Sequence, residues 1–475
     1  SQSFILNFFF INSFFFLFFY FLLFIFWFYL LKYSGVKILN ISIPSFLIVS
    51  IFVFQYLGYP ILFFFLDDYR AEFVQNRNII LKMFFLTSYT ITMIILGFIF
   101  ARKIFGPLHL QNQYNYPQKE IVNDKQLSRF ILYLLFVLSL LVLMIYLSKI
   151  GFNNIALLSV FDLTENSISS KVLRANMGNA FDGKYHWYRL FMRDFLSIVS
   201  VGFFGFYLFR KKLFYLFIFI ISFFISCFSM TMATEKSPLL WYFISLLLMY
   251  VLIRQNGQFK IKQIIGFGAF ASLLLSFIYV NFMGSSDLFA GMTSAFSRIV
   301  TGQIHSLYHY VEIFPRQIDF LFGRSFPNPG SLLPFEPFNL TIEIHNYAFP
   351  EIAEEGIFGS MPTFFWGEMY ANFGYLGIII PTIFIGFFLY GLNIFLLKLP
   401  NTPIFLSFYI WIILHYRTLS ETSLSHFILD TEMFIIIFVL IFILAAPNKL
   451  KLRFFKFKNL KTIKVKKNQL LANNL

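Results

Sequence analysis

Runs of about twenty apolar residues recur from one end of the chain to the other, and each is as long as an α-helix needs to cross the ~30 Å hydrocarbon core of a bilayer. Eleven such runs can be laid out: residues 8–30, 41–65, 79–100, 130–148, 190–209, 213–232, 239–253, 263–282, 375–397, 403–416 and 427–446. Composition points the same way, because 59% of residues are hydrophobic and only 12% are charged, more apolar surface than a soluble domain can hide. The expectation is an all-α polytopic membrane protein with about 11 transmembrane helices. The first run is too long for a signal-peptide core, has no basic stretch before it and no A-x-A site after it, so it reads as a retained helix. The 74 phenylalanines, with abundant Ile, Leu, Lys and Asn, read as a coding bias rather than as an aromatic device. The single cysteine, Cys227, lies inside an apolar run and excludes an intrachain disulfide.

Orientation follows from charge, since short cytoplasmic loops collect Lys and Arg. Basic residues cluster at Lys32 and Lys37, Arg102 and Lys103, Arg210 to Lys212, Arg254 with Lys260 and Lys262, Lys398, and the C-terminal tail. With eleven spans all of these fall on one side, which puts the N-terminus outside and the C-terminus inside. The tail holds nine Lys/Arg and no acid between Lys449 and Lys467, a pattern drawn to anionic lipid head groups rather than to nucleic acid. The chain then divides into N-terminal helices (1–149), an outer loop (150–189), central helices (190–283), a large outer loop (284–374), C-terminal helices (375–446) and the basic tail (447–475).

Four outer segments remain: residues 67–78 (DDYRAEFVQNRN), the loop 150–189, the turn ATEKSP at 233–238, and the long loop from Gly284 to about Asn372. Six of the seven histidines lie in or beside them: His186, His305, His309, His345, His415 and His426. Loops this long are functional or disordered, and their aromatic and aliphatic content argues for order. Any chemistry is expected outside.

Within the long loop, SAFSRIVTGQIHSLYHYVEIF has the spacing of an amphipathic helix. Phe296, Ile299, Val300, Ile304, Leu307, Val311 and Phe314 make one face; Arg298, Gly302, His305, His309, Glu312 and Arg316 make the other. Two readings of the polar stripe stand: a solvated face, or a site that holds an anionic lipid head group and moves protons near it. His305 and His309 at i and i+4 also have metal-ligand spacing with Glu312, but Glu does not follow the first His as it does in H-E-x-x-H, so no metal is expected. No nucleotide-binding fingerprint appears and no cofactor is expected.

Past this helix, FLFGRSFPNPGSLLPFEPFNL forbids regular structure, and GSMPTFFWGEMYANFGYLG (Gly359 to Gly377) interrupts the hydrophobicity with four glycines, a proline and Glu368. Irregular backbone against a membrane must be buried in protein or line a wet cavity. The stretch reads as a dip into the outer membrane or a broken helix. Glu368 at a cavity mouth is either a proton acceptor or a capping residue.

The order Gly323-Arg324-Ser325-Phe326, a Pro-rich stretch, Gly359-Ser360-Met361-Pro362 and Gly367-Glu368-Met369-Tyr370-Ala371-Asn372-Phe373-Gly374-Tyr375-Leu376-Gly377 resembles bacterial O-antigen polymerases of the Wzy type, the oligosaccharide repeat-unit polymerases. The likeness of motifs covers about 280–385; span count and two large outer loops extend it loosely. A spacing of some members, Arg followed eleven residues later by Gly in both outer loops, is absent: Arg174 has Gly183 at nine.

The resemblance implies a GT-C-like glycosyltransferase of the bacterial inner membrane, working on its periplasmic face on undecaprenyl-pyrophosphate-linked oligosaccharides. The donor glycan would pass to the non-reducing end of the acceptor, to build O-antigen or capsular polysaccharide, with a chain-length regulator as partner. A leaving pyrophosphate needs fixed cations, and the outer face offers Arg298, Arg174, Lys236, Arg324 and Arg417. The acceptor hydroxyl needs a base, for which Glu368, His305 and His309 stand in that order. Tyr185, Trp187, Tyr308, Tyr310 and Tyr347 read as exposed aromatics facing a sugar chain or an interfacial belt. The alternatives are an O-antigen ligase-type transferase and a lipid-linked oligosaccharide flippase or other transporter. Against transport, Lys82, Asp194, Asp430 and Glu432 all fall near outer ends of spans, and no internal repeat is evident.

Overall fold

The computed structural model describes residues 2–64, 74, 76–108, 126–160, 170–178, 181, 183–283, 287–354 and 359–444. Much of segment 67–78 and all of the basic tail 447–475 lie outside the described residues. In chain order the helices that frame the molecule are α1 (Ser13–Ser34), α2 (Ile43–Phe64), α3 (Arg77–Phe105), α4 (Leu127–Ile150), α5 (Ser170–Met177), α6 (Tyr185–Arg210), α7 (Leu213–Thr231), α8 (Ser237–Arg254), α9 (Ile261–Ile278), α10 (Leu288–Ile313), α11 (Leu340–Ala348), α12 (Phe365–Leu397), α13 (Pro403–Arg417) and α14 (Ser425–Leu444). Among the described residues ten of these, all but α5, α10, α11 and α13, are long and apolar enough to cross a membrane. The protein is an all-helical, polytopic membrane protein.

The eleventh expected run, 403–416, forms α13, which has 15 residues and so spans only about 22 Å at 1.5 Å per residue. Pro403 sets its start, with the Thr402 hydroxyl accepting from the Phe405 amide at 3.1 Å, and a 3₁₀ turn at Thr418–Ser420 ends it. It is buried along almost its whole length, packed among α2, α6 and α8. A continuous apolar run marks burial, and here the burial is largely in protein.

Local chemistry fixes other starts in the same way. Ser42 and Ser45 cap α2 reciprocally, the Asn76 side chain accepts from the Asn78 amide at α3, and Asp287 accepts from the Ala290 amide at 2.8 Å to begin α10. Helices α3 and α12 pack along an extensive contact. At their crossing a Cβ on Gly386 would stand 2.3 Å from the Ile94 carbonyl oxygen, and one on Gly97 2.3 Å from that of Ile383, so only glycine lets the backbones meet.

The bundle has two chemically distinct ends. At one, the Ile41 amide donates to the Gly257 carbonyl, Arg254 to the Leu208 carbonyl, and the Tyr390 hydroxyl to the Gly106 carbonyl, which gathers the basic connections after α1, α3, α6 and α8. At the other, the Asn76 amide donates to the Tyr308 hydroxyl, Arg193 pairs with Glu235 at 2.5 Å, and the Tyr146 hydroxyl donates to the Met177 carbonyl. The segments expected outside therefore share one end.

Candidate functional site

At that second end α5 carries Arg174. Leu173 and Met177 bury its apolar face in a small cluster with Tyr146, Met192 and Met232, leaving the guanidinium exposed. The turn before α8 is fixed by a bond from the Leu157 amide to the Met232 carbonyl and by the Arg193–Glu235 pair, and it delivers Lys236 to the start of α8. Arg298 comes from α10 and is exposed. The three meet electrostatically: burial first, then the positive charges of Arg174 and Arg298, press the Lys236 ammonium down from 10.5 to about 8. Three of the five cations singled out in the sequence thus share one field.

Arg417 ends α13 and is 4% exposed. Its guanidinium lies over the ring of Trp241, 3.4 Å from the centroid, and Nη1 donates to Glu421 at 2.8 Å. Trp241 is five residues past Lys236, about 140° round α8 from it, and Arg417 is not among the charges that act on Lys236.

Arg324 belongs to a second group. Helix α12 begins at Phe365, ten residues before the expected span, and is broken at Gly374, whose φ of 62° and ψ of −146° no other residue adopts readily. The half-helix before the break holds Glu368, which is 2% exposed. Its carboxylate accepts from the Ser325 hydroxyl and from the Ser425 amide, each at 2.8 Å. Asn372, one turn on, donates to the Ser325 hydroxyl and accepts from the Gly323 amide, both at 2.8 Å. The two motif patches, Gly323 to Phe326 and Gly367 to Gly374, are thus one bonded unit, with exposed Arg324 at its rim near the Phe338 ring.

Helix α10 forms where the periodicity places it, but its faces differ from the expected pattern. Arg298 and Arg316 are exposed, while Gly302, His305 and His309 are buried, and Phe296 on the apolar face is 56% exposed. The cause is that α10 packs on α2, α3, α9 and α12, so protein covers both faces of its middle turns. His305 and His309 face each other with ring centroids 5.3 Å apart. His309 Nδ1 is 3.5 Å from the Glu312 carboxylate, and burial lowers its imidazole to about 4, so it is neutral near pH 7. Along the helix axis Arg298 is about 10 Å from His305 and about 16 Å from His309 at 1.5 Å per residue.

Tyr308 and Tyr310, expected to be exposed, are 3% and 1% exposed and bond within the protein, whereas Trp187 and Tyr347 do reach the surface. Among the described residues no group of three or more His, Cys, Asp and Glu side chains can hold a metal ion. The charged residues near the ends of spans are partnered: Lys82 with the Tyr370 hydroxyl at 2.8 Å, Asp194 with the Trp411 indole at 2.8 Å, Asp430 with His415 at 2.5 Å, and Glu432 with Arg189.

Sequence reasoning missed the two π-helical turns that aim side chains here. Phe52–Tyr56 turns Gln55 to accept from the Trp366 indole and donate to the Ser420 carbonyl, and Leu190–Phe195 presents Arg193 and Asp194. A lone Gln in an apolar run was the available signal. Compared with known proteins, the chain matches no family model, no curated protein and no solved structure.

Proposed function

We propose that this protein is a GT-C-like membrane glycosyltransferase of the bacterial inner membrane that polymerises undecaprenyl-pyrophosphate-linked oligosaccharides, of the kind the Wzy-type resemblance implies. The observation that carries the reading is the convergence of Arg174, Lys236 and Arg298 from three separate segments, at the end of the bundle opposite the basic loops. Cations so placed oppose one another, and a ligand bearing two phosphates, which a leaving pyrophosphate supplies, offsets that repulsion. Arg417 is held apart by Trp241 and Glu421, and Arg324 lies with the unit built around Glu368.

The proton acceptor falls to the imidazoles. Glu368 has both oxygens engaged in hydrogen bonds, which suits a latch between the Gly323–Phe326 turn and α14. His309 is neutral and buried, and His305 stands nearer the cations on the same helix. Bonds are made and broken simply: the acceptor hydroxyl oxygen attacks the anomeric carbon, its proton goes to imidazole, and the lipid pyrophosphate departs with the bonding pair. The basic end would face the cytoplasm and this end the periplasm, with α13 completing eleven crossings.

The test is affinity for a lipid pyrophosphate. Arg174→Ala, Lys236→Ala and Arg298→Ala should each weaken binding about tenfold, as expected for a lost charge-assisted contact, while Arg316→Ala, in the turn that follows α10, should not. Equal effects of all four would remove the cation cluster from the reading. A ligase would join glycan to a different acceptor, and a flippase would move substrate across liposomes without changing glycan length.

A further inference from the structure

At the opposite end of the bundle lies a cleft of about 550 Å³ lined by Tyr29, Lys32, Tyr33, Ile99, Arg102 and Lys103. It is built by the last turns of α1 and α3, which end side by side there. Arg102 is fixed in it: Nη1 donates to the Tyr33 carbonyl, and the guanidinium packs beneath Gly35. That leaves other N–H donors of the planar fork to face the cleft. Lys32 and Lys103 are exposed beside it, and among the described residues none of the three cations has a carboxylate in salt-bridge reach. Basic residues at helix C-termini favour the helix dipole in any protein. What distinguishes this cluster is three cations around a concavity, without a carboxylate partner among the described residues and with one of them held in place.

We propose that this cleft binds the phosphate head group of an anionic phospholipid. Phosphate is the chemistry that a fixed guanidinium flanked by two ammonium groups recognises. A lipid rather than soluble phosphate is favoured by the surroundings. Tyr29 and Tyr33 are 65% and 62% exposed at the ends of membrane-length helices, as interfacial tyrosines are, and Phe28, Phe100 and Ile104 on the same two helices leave apolar surface uncovered for acyl chains. Basic clefts between helices on the side where basic loops gather are suited to anionic head groups. The site is independent of the glycosyl-transfer reading.

The experiment uses the full chain in nanodiscs of phosphatidylcholine with and without phosphatidylglycerol. Thermal unfolding and native mass spectrometry of retained lipid are read for wild type, Lys32→Gln/Lys103→Gln and Arg102→Lys. Phosphatidylglycerol should raise the wild-type melting temperature. The double variant should melt like wild type in phosphatidylcholine, lose most of that rise, and retain phosphatidylglycerol roughly thirtyfold less, at about a fivefold loss per lysine. Arg102→Lys should bind more weakly than wild type because the fork is gone. The basic C-terminal tail is common to all three proteins, so a full rise in the double variant would assign lipid binding to the tail and overturn the proposal. So would a wild type indifferent to phosphatidylglycerol, or an equal rise on adding inorganic phosphate to phosphatidylcholine discs.

Discussion

Turnover should have a narrow window of pH, with each edge assigned to one residue. With Lys236 titrating at about 8, roughly nine-tenths of the free protein carries the ammonium at pH 7 and about one-tenth at pH 9. On the proposed reading pyrophosphate binding needs the charged form, so kcat/KM should fall about tenfold over those two units, and binding above pH 8 should take up a proton. The sign on the acid side is opposite. His309 is protonated below about 4 and cannot then accept a proton, so kcat/KM should fall again as pH drops through that value. The assay is the initial rate of glycan transfer at limiting lipid-linked substrate across this range. Lys236→Arg should abolish the alkaline edge, since guanidinium does not titrate there. Arg174→Gln or Arg298→Gln should move the edge to higher pH, because each removes a positive charge that helps depress the lysine. An alkaline edge unchanged in Lys236→Arg, or moved downward in Arg174→Gln, would refute the assignment.

Three further outcomes follow from the geometry. Glu368→Ala should cost roughly 1.5–3 kcal/mol in thermal or denaturant unfolding through loss of the bonds to Ser325 and Ser425, and Glu368→Gln less; a Gln variant that melts like wild type but has no turnover would make Glu368 the base instead. Gly386→Ala should lower stability by about 1–3 kcal/mol, because its methyl would stand 2.3 Å from the Ile94 carbonyl oxygen and α3 and α12 must part; an unchanged melting temperature would contradict that crossing. Gly374→Ala places a methyl at φ 62° and 2.9 Å from the Phe320 ring, so it should cost on the order of 1–3 kcal/mol and depress activity with it; wild-type melting would argue against the break in α12.

Much of the architecture is legible in one sequence because hydrocarbon is a strict solvent. It demands about twenty apolar residues per crossing and satisfies no backbone, so ten of the eleven expected runs coincide with helices long enough to span. Periodicity was less informative for α13 and α10. A run buried in protein looks like one buried in lipid, so the sequence did not show that the 15-residue α13 is enclosed by α2, α6 and α8. The polar stripe of α10 looks the same whether it meets water or neighbouring helices, and its histidines are buried. The candidate site was legible as residue types, since arginines and a membrane-edge lysine stand out in an apolar chain. Which of them share one field was not, because Arg174, Lys236 and Arg298 are far apart in sequence and come within electrostatic reach only in the folded chain. The partners of Glu368 were also hidden, because Ser325 and Ser425 are 43 and 57 residues away.

The central claim is glycan polymerisation at this end of the bundle, and it is tested most directly by product length. Purified protein in detergent with EDTA, given its host's lipid-linked repeat unit, should yield a ladder of lengthening glycans. The ladder should vanish in His305→Ala/His309→Ala and form about tenfold more slowly at limiting substrate in Arg298→Ala, with Arg316→Ala indistinguishable from wild type. No ladder from wild type on an authenticated substrate, or an undiminished ladder from those variants, would contradict the account.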